Sequence, residues 1–452
     1  MSKQELYDNE TDRREYRRAR RKRNQLIAII VVIVVGLALV AGGILGVTQL
    51  MKQLNDKKHT EELQAQLAEL ADSEPAVVEA PVEEEPQELT SDDYLNQIAD
   101  SCIAEMSLEN KVAGLFMVTP EALTGVDTVI QAGDTTKQKL SEYPVGGLVY
   151  FSKNIKSADQ LKEMLDTTRN TMIYPVFLAV DEEGGSVSRV AGAGLADDVG
   201  DMSEIGSTCD PEKAKEAGTT IGTYLSQFGF NVDFAPVADV VSAENAVIGN
   251  RSFGSDPNVV GTMVAAEVQG LQESGVSACL KHFPGIGDTT TDTHDEKAVS
   301  EKTLEDMQQT DLPAFQSGID AGADFVMVSH MSLPNVVGDD TPCSLSGAVI
   351  SDLLRNQLGY NGIVITDALD MSAITDSYSS AEAAVKAIEA GADMLLMPEN
   401  FEEAYDGVLK AVKSGKISED RIEESLYRIF RVKVTMMDGT SDTTESEGSS
   451  DY

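Results

Sequence analysis

The chain has 452 residues, enough for one large domain or two to three average ones, and its 42% hydrophobic content allows a sizeable core. Its formal net charge of −41 argues against nucleic-acid binding, because the phosphate backbone would repel the protein, and against broad adhesion to anionic lipid. The four cysteines are scattered without C-x-x-C spacing, so a metal site is unsupported and no disulfide pairing can be assigned.

The N-terminal segment combines a basic block with a long apolar run. Residues 1–25 hold nine Lys or Arg and five Asp or Glu, and no charged residue occurs from Leu26 to Val47. As a helix this run would span about 33 Å, close to the hydrocarbon thickness of a bilayer. A cleaved signal peptide is the alternative, but signal peptides have shorter apolar cores and a small-x-small cleavage site. We predict a cytoplasmic segment at residues 1–25 and an uncleaved single-pass cell-membrane anchor at residues 26–50, with the remainder extracytoplasmic.

Polar stretches lie on both sides of one globular region. Residues 51–91 comprise a helix-prone stalk and an acidic Pro/Glu-rich stretch that cannot bury a core, so we predict an extended linker. Residues 438–452 are rich in Ser, Thr, Asp and Glu and are predicted to be a disordered acidic tail. The folded domain is therefore predicted at residues 92–437.

Within that domain, short apolar runs alternate with amphipathic stretches of helical period, such as Pro211–Phe228, Leu304–Ala321 and Leu345–Leu358. The candidate strands are Gly147–Phe151, Val176–Val180, Val232–Pro236, Ala278–His282, Phe325–Ser329, Ile363–Thr366 and Met394–Met397, with a weaker one at Leu115–Val118. Such alternation predicts an α/β fold with a parallel sheet, either a single (β/α)8 TIM-type barrel or an open doubly wound sheet. The barrel is favoured because polar residues fall at the carboxyl ends of separate strands, where barrels collect their active sites: Asp181, Asp239, Lys281, His282, His330 and Asp367.

Two motifs carry candidate catalytic groups. The motif I-T-D-A-L delivers the Asp367 carboxylate at a strand end, where an aspartate also commonly caps a helix. The motif K-H-F-P-G-I-G-D begins with Lys281 and His282, and the Thr-rich loop after it holds Asp292 two residues before His294. Histidine titrates near neutral pH and suits proton transfer, and a nearby carboxylate can orient the ring and raise its basicity.

Two further motifs offer groups for a polyhydroxylated ligand. The motif D-E-E-G-G-S-V-S-R contains Asp181 and Arg189, which either approach a ligand or pair with each other to hold the loop. The motif N-R-S-F-G places Arg251 in a turn, where it is either a bidentate clamp or a solvated surface residue.

In combination and in this order, the motifs closely resemble glycoside hydrolase family 3, and specifically its β-N-acetylglucosaminidase (β-hexosaminidase) branch. The matching stretches are DEEGGSVSR, NVDFAPVADV, NRSFG, KHFPGIGDT, DTH, ITDALDM and DMLLMP, which are spread over nearly all of residues 92–437. The resemblance implies a (β/α)8 barrel that hydrolyses terminal non-reducing β-linked N-acetylglucosamine with retention of configuration. It implies no metal and no organic cofactor.

The resemblance also implies a role for each matching residue. Asp367 corresponds to the nucleophile, and His294 with Asp292 corresponds to the acid/base pair on a loop. The residues that correspond to the sugar-holding set are Asp181, Arg189, Arg251, Lys281 and His282. One position departs from the family pattern, because Ile286 stands where members commonly carry a second histidine.

The D-T-H motif also bears on the substrate. Other members of the family take a carboxylic acid/base from an additional C-terminal domain, which we do not expect after residue 437. We therefore expect an N-acetylglucosaminidase acting on peptidoglycan-derived fragments rather than a β-glucosidase. The alternatives are a β-hexosaminidase or glucosidase acting on other glycans, and a catalytically silent, membrane-tethered sugar-binding barrel.

Overall fold

A computed structural model of the protein describes residues 91–241, 247–289 and 297–439. Its strands are β1 Phe116–Val118, β2 Gly147–Tyr150, β3 Phe177–Val180, β4 Glu182–Gly184, β5 Val187–Ser188, β6 Val232–Asp233, β7 Ser277–Phe283, β8 Phe325–Val328, β9 Ile363–Thr366 and β10 Leu395–Leu396. Eight of these strands form one sheet in the order β10-β1-β2-β3-β6-β7-β8-β9, whereas β4 and β5 form a separate antiparallel hairpin.

The eight-stranded sheet is parallel throughout and closes on itself. The strands at the two ends of its order, β9 and β10, meet through a parallel bridge between Ile365 and Met394. The Met394 N–H donates to the Val364 carbonyl at 3.0 Å, and the Thr366 N–H donates to the Met394 carbonyl at 3.1 Å. The predicted parallel barrel is therefore confirmed, and the open-sheet alternative is not.

Helices surround the barrel. Their bounds are Ser91–Glu105, Leu108–Ala113, Pro120–Thr124, Asp134–Glu142, Ala158–Thr171, Met202–Gly206, Pro211–Phe228, Pro257–Glu273, Leu304–Thr310, Leu312–Asp320, Pro334–Val337, Ala348–Gln357, Ser372–Thr375, Ser380–Ala390, Phe401–Lys413 and Glu419–Gly439. The helix Pro211–Phe228 has the predicted bounds. It begins at a proline after the capping Asp210, and Gly229 follows its last residue in the left-handed region.

Two predicted helices differ in detail. The stretch predicted as Leu304–Ala321 forms two helices that meet at Asp311, because Pro313 cannot donate a main-chain hydrogen bond to the preceding turn. The stretch predicted as Leu345–Leu358 contains the helix Ala348–Gln357, which is wound as a π-helix.

Several predicted segments fall wholly or partly outside the described residues. These are the cytoplasmic segment 1–25, the membrane anchor 26–50 and the linker 51–91, of which only Ser91 is described, as the first residue of a helix. The last helix includes residues 438 and 439 of the predicted tail, and the rest of the tail is not described. Across residues 91–241, 247–289 and 297–439, no helix is long and apolar enough to cross a membrane.

Candidate active site

A cavity of about 430 Å³ is lined by residues in the barrel strands and in the loops that follow their carboxyl ends. Its volume lies within the roughly 300–1,000 Å³ that is typical of small-molecule sites. Six of the eight predicted site residues line this cavity: Asp181, Arg189, Arg251, Lys281, His282 and Asp367. The other two, Asp292 and His294, lie outside the described residues.

Glu183, which the sequence analysis did not select, is at the centre of the charged groups. The Lys281 ammonium on β7 lies 2.5 Å from one Glu183 oxygen and 2.8 Å from Asp181 Oδ1. The Arg251 guanidinium donates twice to the same carboxylate, from Nε at 2.7 Å and from Nη2 at 2.8 Å. This two-bond geometry is the strong form of an arginine–carboxylate pair and fixes the orientation of Arg251.

The electrostatics of these side chains follow from their burial and pairing. Burial alone would raise the pKa of Glu183, but the charges of Lys281 and Arg251 outweigh it and lower that pKa to about 2. Burial opposes the charged form of Lys281, yet Asp181 and Glu183 raise its pKa above the ordinary value. Both partners are therefore ionised at neutral pH.

The adjacent acid, Glu182, has a different role. Its carboxylate accepts hydrogen bonds from the main-chain N–H groups of Arg189 at 2.6 Å, Val190 at 2.7 Å and Ala191 at 2.8 Å. The Tyr224 hydroxyl donates to it at 2.9 Å. Glu182 thus fixes the turn after β5, and this turn carries Arg189 to the cavity.

The Arg189 side chain retains hydrogen-bonding capacity. Its guanidinium carbon lies 6.0 Å from the centroid of the Phe151 ring, at the outer limit of a cation–π contact. Its Nε is buried, and no acceptor among the described residues bonds to it. A ligand oxygen in the cavity could satisfy this donor.

His282 is held by the fully buried Asp239. The His282 ring Nδ1 lies 2.8 Å from Asp239 Oδ2, which also accepts the His282 main-chain N–H at 3.1 Å. The other oxygen accepts the Ile286 N–H at 2.8 Å. Since an ionised carboxylate can only accept, the Nδ1 of His282 donates this bond, and in the neutral ring Nε2 is then the nitrogen that can accept. The Lys281–His282 peptide bond is cis, and both side chains line the cavity.

Asp367 follows β9 and is partly buried. Its main-chain N–H donates to the Val328 carbonyl at 2.9 Å, and its Oδ1 accepts the Ala368 N–H at 2.8 Å. The fully buried His330 supports the same turn, because its Nε2 donates to the Ala368 carbonyl at 2.8 Å. The His330 Nδ1 lies 2.7 Å from the Ser344 hydroxyl, from which it accepts when the ring is neutral.

The arrangement of these motifs in one cavity agrees with the comparison of the whole chain with known families. The profile of the glycosyl hydrolase family 3 N-terminal domain matches residues 107–432. The chain belongs to glycosyl hydrolase family 3. The prediction of a glycoside hydrolase of this family is therefore confirmed.

Several similar proteins carry more specific names. A protein of Pseudoalteromonas piscicida named β-hexosaminidase A is 31% identical over 66% of this chain and 54% of its own length. A β-hexosaminidase of Stenotrophomonas maltophilia K279a is 36% identical over 58% of this chain and 80% of its own. The solved family 3 β-N-acetylglucosaminidase of Paenibacillus sp. FPU-7 has 34% identity and a TM-score of 0.69, covering 77% of this chain and 64% of its own. The chain thus spans about half the length of the Pseudoalteromonas protein and about two thirds of the length of the Paenibacillus enzyme.

The family 3 cavity also has apolar walls. Val149, Phe234, Met327 and Leu396 contribute apolar surface beside the charged group. A pyranose presents hydroxyls at its edge and C–H groups on its faces, so such a mixed lining suits it. Within the described part of the chain, no three His, Cys, Asp or Glu side chains gather as a metal site.

Three residues of this site were not assigned a role from the sequence: Glu183, Asp239 and His330. Asp239 and His330 had been noted only as polar residues at strand ends. Glu183 stands in the same motif as Asp181, and the alternation of side chains along a strand could have placed it on the opposite face from Glu182. The sequence could not indicate which of the two adjacent glutamates faces Lys281.

Proposed function

We propose that this chain is a retaining exo-β-N-acetylglucosaminidase that removes terminal non-reducing β-linked N-acetylglucosamine. The observation that carries the proposal is the shared cavity, which is lined both by Asp367 and by the five residues matched to the sugar-holding set. A carboxylate and a hydrogen-bonding sugar pocket at one end of a barrel form a suitable arrangement for glycosidic bond cleavage.

In the proposed mechanism Asp367 attacks the anomeric carbon and forms a glycosyl-enzyme intermediate. His294, made more basic by Asp292, donates its proton to the leaving oxygen and then removes a proton from the incoming water. The roles of His294 and Asp292 rest on the D-T-H motif, because both residues lie outside the described parts of the chain.

The proposed sugar-holding groups are suited to hydroxyl recognition. Lys281 and Arg251 are fixed by Glu183, so they can donate hydrogen bonds with little loss of side-chain freedom. The carboxylate of Asp181 can accept from a hydroxyl, and His282 Nε2 can accept from another. Arg189 contributes the buried donor that lacks a protein acceptor within the described residues.

The choice of N-acetylglucosamine is supported by the relatives that are named β-hexosaminidase and β-N-acetylglucosaminidase. We further propose that the enzyme is held at the outer face of the cell membrane by residues 26–50 and acts on peptidoglycan-derived fragments. Two experiments test these parts separately. Protease digestion of intact cells should remove the catalytic domain, and incubation with purified cell-wall fragments should release N-acetylglucosamine.

The activity itself is tested with a pair of chromogenic substrates. Hydrolysis of an aryl β-N-acetylglucosaminide at a much higher kcat/KM than the matching β-glucoside is expected. Preference for the glucoside would replace the proposed substrate, and turnover of neither would indicate a binding protein. Asp367→Ala, which removes the proposed nucleophile, should abolish turnover and supplies the background rate.

The nucleophile is tested by covalent trapping. A fluorinated N-acetylglucosamine donor that slows deglycosylation should accumulate as a glycosyl-enzyme, and peptide mapping by mass spectrometry should place the label on Asp367. A label on any other carboxylate would refute this assignment while leaving the retaining mechanism intact.

A further inference from the structure

A set of four polar residues ties together the two sides of the segment 290–296. Asp288 lies before this segment and Ser300 lies after it, and the Ser300 hydroxyl donates to Asp288 Oδ2 at 2.6 Å. The Lys302 ammonium lies 2.7 Å from Asp311 Oδ2 and 3.8 Å from Asp288 Oδ2. We refer to Asp288, Ser300, Lys302 and Asp311 as the brace.

The brace is fixed to the barrel on both sides. Asp311 is fully buried and also accepts the Thr310 hydroxyl at 2.6 Å. It packs against the K-H-F-P-G turn so closely that a Cβ added at Gly285 would lie 2.8 Å from it, and Gly285 has φ +119°. Only glycine fits there, because a side chain would face both this contact and an unfavourable backbone conformation.

The Ser300 side of the brace is anchored by the main chain. The Ser300 N–H donates to the Ser332 carbonyl at 3.0 Å, and the Ser332 N–H donates to the Ala298 carbonyl at 2.9 Å. These two bonds pair residues 298–300, which follow the segment 290–296, with Ser332 in the loop after β8. The positions at which the chain leaves and rejoins the barrel are therefore both determined by buried or main-chain contacts.

We propose that the brace positions the proton-transfer pair, by fixing the two points from which the segment bearing Asp292 and His294 extends. This inference rests on the proposed function, in which His294 protonates the leaving group. Asp288, Ser300, Lys302 and Asp311 are thus positioning residues that act through His294. They do not contact the sugar in this proposal.

If the brace positions His294, removing it should slow hydrolysis by an amount that depends on the leaving group of the substrate. A misplacement of about 1 Å in a catalytic group can lower the rate roughly 100-fold. An activated aryl leaving group departs with little proton assistance, so a displaced acid affects it little. Loss of the brace should therefore slow glycosides with poor leaving groups much more than activated ones.

The test uses Ser300→Ala and Lys302→Met in the full chain, with a dinitrophenyl and an alkyl β-N-acetylglucosaminide as substrates. We expect kcat/KM to fall at least ~10-fold on the alkyl glycoside and less than ~3-fold on the dinitrophenyl glycoside. Lys302→Arg, which keeps the charge, should recover most of the loss. Lys297→Met is the matched control, because Lys297 also lies beside the segment but its one ion pair with a described residue is an exposed contact with Asp340 at 3.7 Å.

A double-mutant cycle separates this inference from the proposed function. On a His294→Ala background the brace variants should cause no further selective loss, because the group they position is absent. Equal losses on both substrates, or additivity with His294→Ala, would show that the brace contributes only stability and would overturn the inference. If His294→Ala itself shows no dependence on the leaving group, the proposed acid role fails instead. Should Lys302→Met fail to fold, Ser300→Ala removes a single hydroxyl and decides the question.

Discussion

Replacing Glu267 with glutamine is expected to stabilise the protein at neutral and alkaline pH. Glu267 lies in the helix Pro257–Glu273, is only 1% exposed, and has no hydrogen-bond partner among the described residues for either carboxyl oxygen. A buried carboxylate without a partner is costly, whereas the neutral acid is much less so. Glutamine has nearly the same shape and carries no charge at any pH.

The magnitude follows from the pKa of Glu267. Burial, reinforced by the negative charge of Glu183 and opposed by Lys281, raises it from 4.5 to about 8. Between these values the folded state retains a proton that the unfolded state has lost, so stability falls as the pH rises. At about 1.4 kcal/mol per pKa unit, the cost is about 3 kcal/mol at pH 7 and about 5 kcal/mol above pH 8. Glu267→Gln should recover these amounts.

The assay is urea unfolding at a series of pH values, followed by far-UV circular dichroism because the chain has no tryptophan. The two proteins should have the same free energy of unfolding near pH 4.5 and should diverge progressively up to pH 8. Glu163→Gln, at an exposed position on another helix, serves as a control and should leave the pH dependence unchanged. If the free energies of unfolding of the wild type and Glu267→Gln differ by the same amount at every pH, the reasoning is refuted, because glutamine would then act through packing alone.

Three substitutions in or directly behind the cavity lining have distinct expected effects. Glu183→Gln should destabilise the protein by about 3 kcal/mol at pH 7, because it leaves Lys281 and Arg251 without their shared carboxylate. In unfolding measurements the wild-type protein should lose this advantage over the variant as the pH falls from 4.5 toward 2 and Glu183 is protonated. Asp239→Asn should lower kcat/KM by at least ~10-fold, because the acceptor that orients His282 is weakened; an unchanged steady-state value would contradict that role. Arg251→Lys should raise KM ~10-fold with a smaller change in kcat, because lysine cannot make the two-bond contact with Glu183.

The barrel could be predicted because its strands are buried on both faces and therefore appear in the sequence as continuous apolar runs. The helix Phe401–Lys413 was not assigned, although the sequence contains its signal. Its buried residues Phe401, Ala404, Tyr405 and Val408 follow the spacing of an amphipathic helix. The π-helical winding of Ala348–Gln357 has no comparable signal, because the pattern of buried positions does not distinguish i→i+4 from i→i+5 hydrogen bonding.

The candidate site was predictable to the extent that its residues follow strands. Asp181 and Asp367 come just beyond the carboxyl ends of β3 and β9, and Lys281 lies near the carboxyl end of β7. Parallel strands in a barrel deliver such residues to one rim. The partners of these residues are less accessible to sequence reasoning. Asp239 bonds His282 across 43 positions, and nothing in the local pattern around Asp239 specifies that contact.

The different roles of Glu182 and Glu183 show why the remaining assignments need tertiary structure. Both residues lie on β4, and adjacent side chains on a strand point to opposite faces, so one of them must face away from the cavity. The contacts of Glu182 come from its own turn and from the Tyr224 hydroxyl on a separate helix, 42 positions away. The contacts of Glu183 come from Lys281 and Arg251, each more than 60 positions away. The role of each glutamate is therefore decided by where two distant elements pack, and only the alternation itself is local.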